Sequence, residues 1–212
     1  LSKRIATSIL LLIILYLSFL DVRILYSLIL IVNFIVLYEL IKIFGKIFKI
    51  KNLFYFLSIL LGLIYMCYFT LIIFLFVSQS FDLNKFKILF LLSICIATDM
   101  GGFIFGKIIG GKKLTKISPN KTYSGALGSF ILAIIFGYIF YYYQKDIIFS
   151  DINIFLLIII ISLVSQIGDL IISALKRKAK IKNTGIFLPG HGGILDRIDG
   201  IIIALPIGIL II

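Results

Sequence analysis

The sequence predicts an all-α, polytopic integral membrane protein, and three observations carry that prediction. Hydrophobic residues make up 62% of the 212. Mean hydropathy is +1.22, more apolar sequence than a soluble core absorbs. The apolar residues also come in runs near 5 to 20, 24 to 41, 53 to 77, 87 to 106, 124 to 143, 154 to 175 and 195 to 212. Most of these approach the roughly 20 residues that cross a bilayer as helix, so about seven transmembrane helices are expected.

Each run has its own signals. Lys3 and Arg4 precede the first, and no small-x-small cleavage site follows before Asp21, so it reads as a retained helix. Lys42, Lys46 and Lys49 are spaced among Ile and Phe between the second and third runs, a basic amphipathic pattern expected at the membrane surface near anionic lipid. The run 53 to 77 reads either as one span or as a span plus a short return. Cys67 and Cys95 fall inside predicted spans and read as apolar packing residues. Gly102, Gly106 and Gly110 recur every four residues, a close helix-packing face. The first and last runs are marginal in length. Short loops and the absence of repeats or low-complexity linkers predict one membrane-embedded domain over 1-212, with N-terminal helices in 1-80 and a motif-bearing part in 87-212.

Charge orients the spans. With seven spans and a cytoplasmic N-terminus, all of the 21 Lys and Arg residues except Arg23, Lys85, Lys87 and Lys145 fall on the cytoplasmic side. The net charge of +12 then reflects topology and an anion site, and no long basic soluble tail is present to bind nucleic acid.

The chemistry concentrates in 173 to 199, SALKRKAKIKNTGIFLPGHGGILDRID. Arg and Lys donors match phosphate oxygens, and the turn-rich Pro189-Gly190-His191-Gly192-Gly193 lets backbone approach a ligand closely. Asp196 and Asp199, three apart, would share one face of a helix. Together these parts suit an anionic phosphate ligand held with a metal. Lys178 and Lys180 read equally well as positive-inside loop charge. Asp99 is a carboxylate within an apolar run, a functional candidate whose plain alternative is an interhelical hydrogen bond. Ser118, Lys121 and Thr122 form a turn ahead of the next span that can present donors to phosphate. On a 3.6-residue helix Gln166, Asp169, Ser173 and Lys176 share a face.

The pattern S-x-x-K-R, K-x-x-G and P-G-H-G-G-x-x-D-R-x-D resembles the signature of the phosphatidate cytidylyltransferase, or CDP-diacylglycerol synthase, family. It runs through Ser173, Lys176, Arg177, Lys182, Gly185, Pro189, Gly190, His191, Gly192, Gly193, Asp196, Arg197 and Asp199. Asn183 stands where that family usually has Asp. A second match covers Asp99, Gly101, Gly106, Lys113, Leu114, Ser118, Pro119, Lys121, Thr122 and Gly125, with Ser124 replacing an acid. A third covers Gly168, Asp169 and Ser173, with Ile172 replacing a Glu.

The resemblance implies that CTP and phosphatidate give CDP-diacylglycerol and pyrophosphate. Two anions must then be brought together while pyrophosphate leaves in line, which a metal and a cationic cradle accomplish without a covalent nucleophile. Asp169 lies near the end of the sixth span and Asp196 and Asp199 near the start of the last, so the three are expected to meet around Mg²⁺, with Mn²⁺ or an additional monovalent ion as alternatives. Lys176, Arg177, Lys182 and Arg197 are expected to clamp phosphates. Asp99, Ser118, Lys121, Thr122, Ser173, Gly190, Gly192 and Gly193 are expected at the substrates. His191 is left open between touching phosphate, acting as acid or base, and holding the glycine loop. Expected partners are CTP, phosphatidate and membrane lipid, without nucleic acid and with homodimerisation open. The expected location is a bacterial inner membrane, with the site on the cytoplasmic side. The alternatives are another CTP-dependent lipid enzyme and a transporter using Asp99 and Asp169 as a cation path.

Overall fold

In the computed structural model the chain is described at residues 2–48, 50, 52–115, 118, 121–148, 153–185, 187–188 and 192–212, with side chains described except at 2–6, 8 and 145–148. Among the described residues the protein is all-α. Its helices are α1 Ser2–Ser18, α2 Val22–Ile47, α3 Leu53–Gln79, α4 Phe81–Ile108, α5 Tyr123–Ile148, α6 Ile154–Lys178, α7 Leu195–Ile198 and α8 Ile201–Ile211. Five of them, α2 through α6, are long and apolar enough to cross a membrane, α5 through Gln144, and Ile9–Ser18 and Ile201–Ile211 are shorter apolar helices. Burial agrees with a bilayer as solvent: Leu12, Phe34, Leu61, Ile108 and Leu127 are each more than 60% exposed, an arrangement water would penalise and lipid favours.

Several expectations are refined. Residues 53 to 77 lie within one continuous helix, α3, so a span with a return is excluded. Of the basic segment after residue 41, Lys42 through Ile47 continues α2, with Lys46 in its last turn, where a cation complements the helix dipole; Lys49 lies outside the described residues. The last run is broken: the one-turn α7 ends at Ile198, and α8 begins at Ile201. At the break the Asp199 carboxylate accepts a hydrogen bond from the Gly200 amide at 3.0 Å, a side-chain bond that competes with helix continuation. Asp196 and Asp199 therefore do not share the face of one helix.

Two compact units make up the chain. The first comprises Leu1–Ser78 and Leu175–Ile198. Its α2 and α3 bury Val36, Ile43, Met66 and Ile73, and Asn33 of α2 donates its side-chain NH₂ to the Met66 carbonyl, 2.9 Å away, and to Thr70. Unpaired N–H groups in such surroundings would be costly, so these bonds also fix the register of the two helices.

The second unit comprises Gln79–Ala174 and Asp199–Ile212. Glycine sets its closest packing. A side chain at Gly125 would lie 2.8 Å from the Gly102 carbonyl, one at Gly101 would lie 2.8 Å from the Ser129 Cα, and Gly106 faces Thr122 and Gly125. Small residues thus let α4 and α5 approach backbone to backbone. Gly110 is not part of that face. It has φ +63° and open space around it, so it shapes the turn that ends α4. Buried hydroxyls cross the helices as well: Ser129 donates to the Thr98 carbonyl at 2.7 Å, and Thr98 donates to Ser162 at 2.9 Å.

Candidate active site

Several of the sequence-predicted site residues gather in a cluster within each unit. In the second unit a cavity of about 300 Å³ is lined by Asp99 of α4, Ser118, Lys121 and Thr122 of the turn before α5, and Gln166 and Asp169 of α6. Lys121 forms an ion pair with Asp169, both side chains being one-quarter exposed. Ser173, one turn further along α6, donates to Asp169 at 3.2 Å. The sequence places Asp99 and Asp169 in separate apolar runs, and the fold brings both to one pocket with a lysine between two acids. Electrostatics favour that arrangement, since two carboxylates at one site repel unless a cation joins them.

The local fold accounts for the turn residues. Thr122 caps α5, its hydroxyl accepting from the Gly125 amide at 3.1 Å, and it pairs in an isolated bridge with Lys113. Ser124 donates to the Gly110 carbonyl, tying the start of α5 to the end of α4. Ser118 lines the cavity and holds Lys121 through its carbonyl, 3.1 Å from the Lys121 amide. Pro119 and Asn120 lie outside the described residues. Asp199 is 9% exposed, and its main-chain oxygen packs where a side chain at Gly168 would come within 2.8 Å.

In the first unit the signature loop folds on two carboxylates. Asp196 accepts from Lys176 at 2.9 Å through one oxygen, and from the amides of Thr184 at 2.8 Å and Gly193 at 3.0 Å through the other. Burial works against its charge, yet the Lys176 ammonium and the two amides prevail and hold it below its ordinary value of 3.8. The other carboxylate is Glu39, the chain's only glutamate, fully buried on α2. It accepts from the Thr184 hydroxyl at 2.7 Å, the Ile194 amide at 3.0 Å and the Leu195 amide at 2.9 Å.

Glu39 also explains loop glycines expected to admit a ligand. A side chain at Gly193 would meet both Glu39 oxygens at 2.5 and 2.6 Å, and one at Gly185 would meet Glu39 at 2.5 Å. At these positions the close approach is to a protein carboxylate. Gly192 takes φ +90°, and its amide and carbonyl both bond Leu188, at 3.1 and 2.9 Å. Gly190 and His191, expected at the substrates, lie with Pro189 outside the described residues. Arg177, Lys182 and Arg197 are exposed. Sequence reasoning missed Glu39, although the signal that selected Asp99, an acid inside an apolar run, applies to it equally.

Among the described residues no group of three or more His, Cys, Asp or Glu side chains is placed to hold a metal ion. Asp169 retains an oxygen-donor position on an open cavity beside Asp99, whereas Asp196 has three of its roughly four lone-pair sites filled by N–H donors.

A family model, that of the cytidylyltransferase family, matches residues 2–212. Curated relatives named phosphatidate cytidylyltransferase include one from Rickettsia bellii, 40% identical over 144 residues, covering 65% of this chain and 61% of the relative. One from Bacillus subtilis is 37% identical over 129 residues, covering 59% and 48%. One from Haemophilus influenzae is 34% identical over 125 residues, covering 57% and 43%. In each case the matched stretch is less than two thirds of the relative's own length.

Proposed function

The chain belongs to the cytidylyltransferase family, and we propose that it transfers the cytidylyl group of CTP to phosphatidate, giving CDP-diacylglycerol and pyrophosphate. The observation that carries this reading is the gathering of Asp99, Lys121 and Asp169 in one cavity among lipid-facing helices. Such groups are expensive in a membrane and are retained for chemistry. The relatives' shared name supports the same reaction.

In this reading an oxygen of the phosphatidate phosphate bonds to the α-phosphorus of CTP, and the bond from that phosphorus to the bridging oxygen of pyrophosphate breaks. No enzyme nucleophile intervenes. Lys121 neutralises phosphate charge from its seat on Asp169, and Ser118 supplies a hydroxyl donor from the same wall. Lys176, Arg177, Lys182 and Arg197 add positive charge near the signature loop, where cations favour the charge that builds on the leaving group.

Magnesium belongs to the same proposal, with Asp169, Asp196 and Asp199 as its carboxylates. When bound it would supply Lewis-acid neutralisation of phosphate oxygens. Asp169 supports this assignment best, lining the cavity beside a second acid. Asp196 supports it least, because it already accepts three hydrogen bonds.

For orientation we propose seven spans, a cytoplasmic N-terminus and a site facing the cytoplasm of a bacterial inner membrane, supported by the distribution of Lys and Arg. Cysteines replacing Lys113 and Lys180 should then label from one side; opposite accessibility would overturn the orientation. The reaction is tested on the purified full chain with labelled CTP, phosphatidate and Mg²⁺. CDP-lipid and pyrophosphate should form in equal amounts. Turnover only with a different lipid phosphate, or solute uptake without CTP turnover, would overturn the proposal.

A further inference from the structure

The first unit contains a second cavity, of about 690 Å³, lined by Tyr38, Glu39, Lys42 and Lys46 of α2 and by Asn183 and Phe187 of the signature loop, among others. We propose that it binds the phosphate of a membrane glycerophospholipid. The reaction proposed above does not require this site, and the inference stands or falls separately from it.

Charge is the first argument. Lys42 and Lys46 are one helical turn apart and both border the cavity. The Glu39 carboxylate beside them, held by Thr184, Ile194 and Leu195, offsets one of the two charges and leaves the cavity net positive. Positive-inside topology alone accounts for lysines at this depth. It does not account for their bordering one cavity, or for the seating of Lys42, whose ammonium lies 4.2 Å from the Tyr38 ring centroid. Tyr38 in turn packs edge-on against Phe187, with centroids 5.8 Å apart. A cation held over an aromatic face has fewer rotamers to lose when an anion arrives. Asn183 adds an amide that donates to phosphate oxygens, where a carboxylate would repel them.

Position is the second argument. Lys42 and Lys46 lie in the last two turns of a membrane-crossing helix, the level at which lipid phosphates sit. Below them Phe34, Tyr38 and Ile41 are 71%, 47% and 39% exposed. Their i, i+4, i+7 spacing makes one apolar stripe that runs from the cavity toward the bilayer centre. A lipid headgroup in the cavity would lay its acyl chains along that stripe, whereas a free nucleotide would leave the stripe unused.

The chain contains no tryptophan, so Phe187→Trp places a single emission reporter on the cavity wall. The full chain in detergent is titrated with dioctanoyl phosphatidate, dioctanoyl phosphatidylglycerol, dioctanoylglycerol and CTP. A saturable emission change is expected with phosphatidate and not with dioctanoylglycerol. Adding Lys42→Met and Lys46→Met should raise the half-saturating concentration at least tenfold. If that double variant does not fold, Lys46→Met alone, which leaves Lys42 on Tyr38, should raise it about threefold. A response to phosphatidate alone supports the site with the phosphomonoester as its ligand. Equal responses to phosphatidate and phosphatidylglycerol support it with bulk anionic lipid as the ligand. A matching response to dioctanoylglycerol, insensitivity to the lysine changes, or displacement of the lipid by CTP would overturn the proposal.

Discussion

Removing the Glu39 carboxylate should release the signature loop from α2. In Glu39→Ala the Thr184 hydroxyl and the Ile194 and Leu195 amides lose their shared acceptor at a site with no solvent exposure. Each orphaned buried donor costs roughly 1–3 kcal/mol. Thr184 can rotate its hydroxyl to another acceptor but the two amides cannot, so a net loss of about 3–5 kcal/mol is expected, concentrated in the loop. At 1.36 kcal/mol per factor of ten, that is roughly a hundredfold or more in the opening equilibrium of the loop. Hydrogen exchange followed by mass spectrometry on the purified chain reads this directly. Peptides covering 184 to 195 should exchange faster by that factor, while peptides of α5 should not change. Glu39→Gln should fall between, since its amide oxygen still accepts from one amide while its NH₂ faces the other. Unchanged exchange over 184 to 195 in Glu39→Ala would refute the clamp.

Four further outcomes follow from the two clusters and the helix packing. Asp196→Asn should lower turnover at least about 100-fold, or ~2.7 kcal/mol of transition-state stabilisation; near-normal rates with unchanged Mg²⁺ dependence would remove Asp196 from the site. Lys121→Met should cost less, about tenfold, and should lower the half-saturating Mg²⁺ because Asp169 loses a competing cation; a raised Mg²⁺ requirement would contradict this. Because the folded value of Asp196 lies below 3.8, its contribution is present above that pH and is lost as pH falls through the depressed value. Pepsin cutting within 184 to 195 should therefore rise only in strong acid, and Asp196→Asn should abolish that transition. Gly101→Ala should lower the melting temperature through about 1–3 kcal/mol of overpacking against Gly128 and Ser129, and an unchanged melting temperature would refute the packing assignment.

Legibility followed the range of the physical signal. Apolar run length is local, so the long helices α2 through α6 could be placed from sequence. Asp99 and Asp169 were identifiable singly because a charge in an apolar run stands out, and Lys121 because it sits in a donor-rich turn; the fold supplied their meeting. The break between α7 and α8 was hidden: Leu195 through Ile212 is uniformly apolar apart from its polar start, and the interruption depends on the side-chain bond from Asp199 to the Gly200 amide. Gly110 fitted a four-residue repeat that geometry ends one turn earlier. Glu39 carries the same local signal as Asp99, an acid inside an apolar run, and was passed over; what no local pattern could reveal is its partners, far along the chain.

That distance has a consequence for how the protein is made. The acceptor on α2 and its donors are separated by 145 to 156 residues. At typical synthesis rates of roughly 5–20 residues per second, the glutamate waits about 7–30 s after its own helix is made before the loop that satisfies it exists. During that interval the nascent chain carries an acid in α2 that only water, headgroups or a proton can accommodate. The signature loop is therefore ordered only after α3 through α6 have been made, and until then the chain carries an unmet acid that the folded loop conceals.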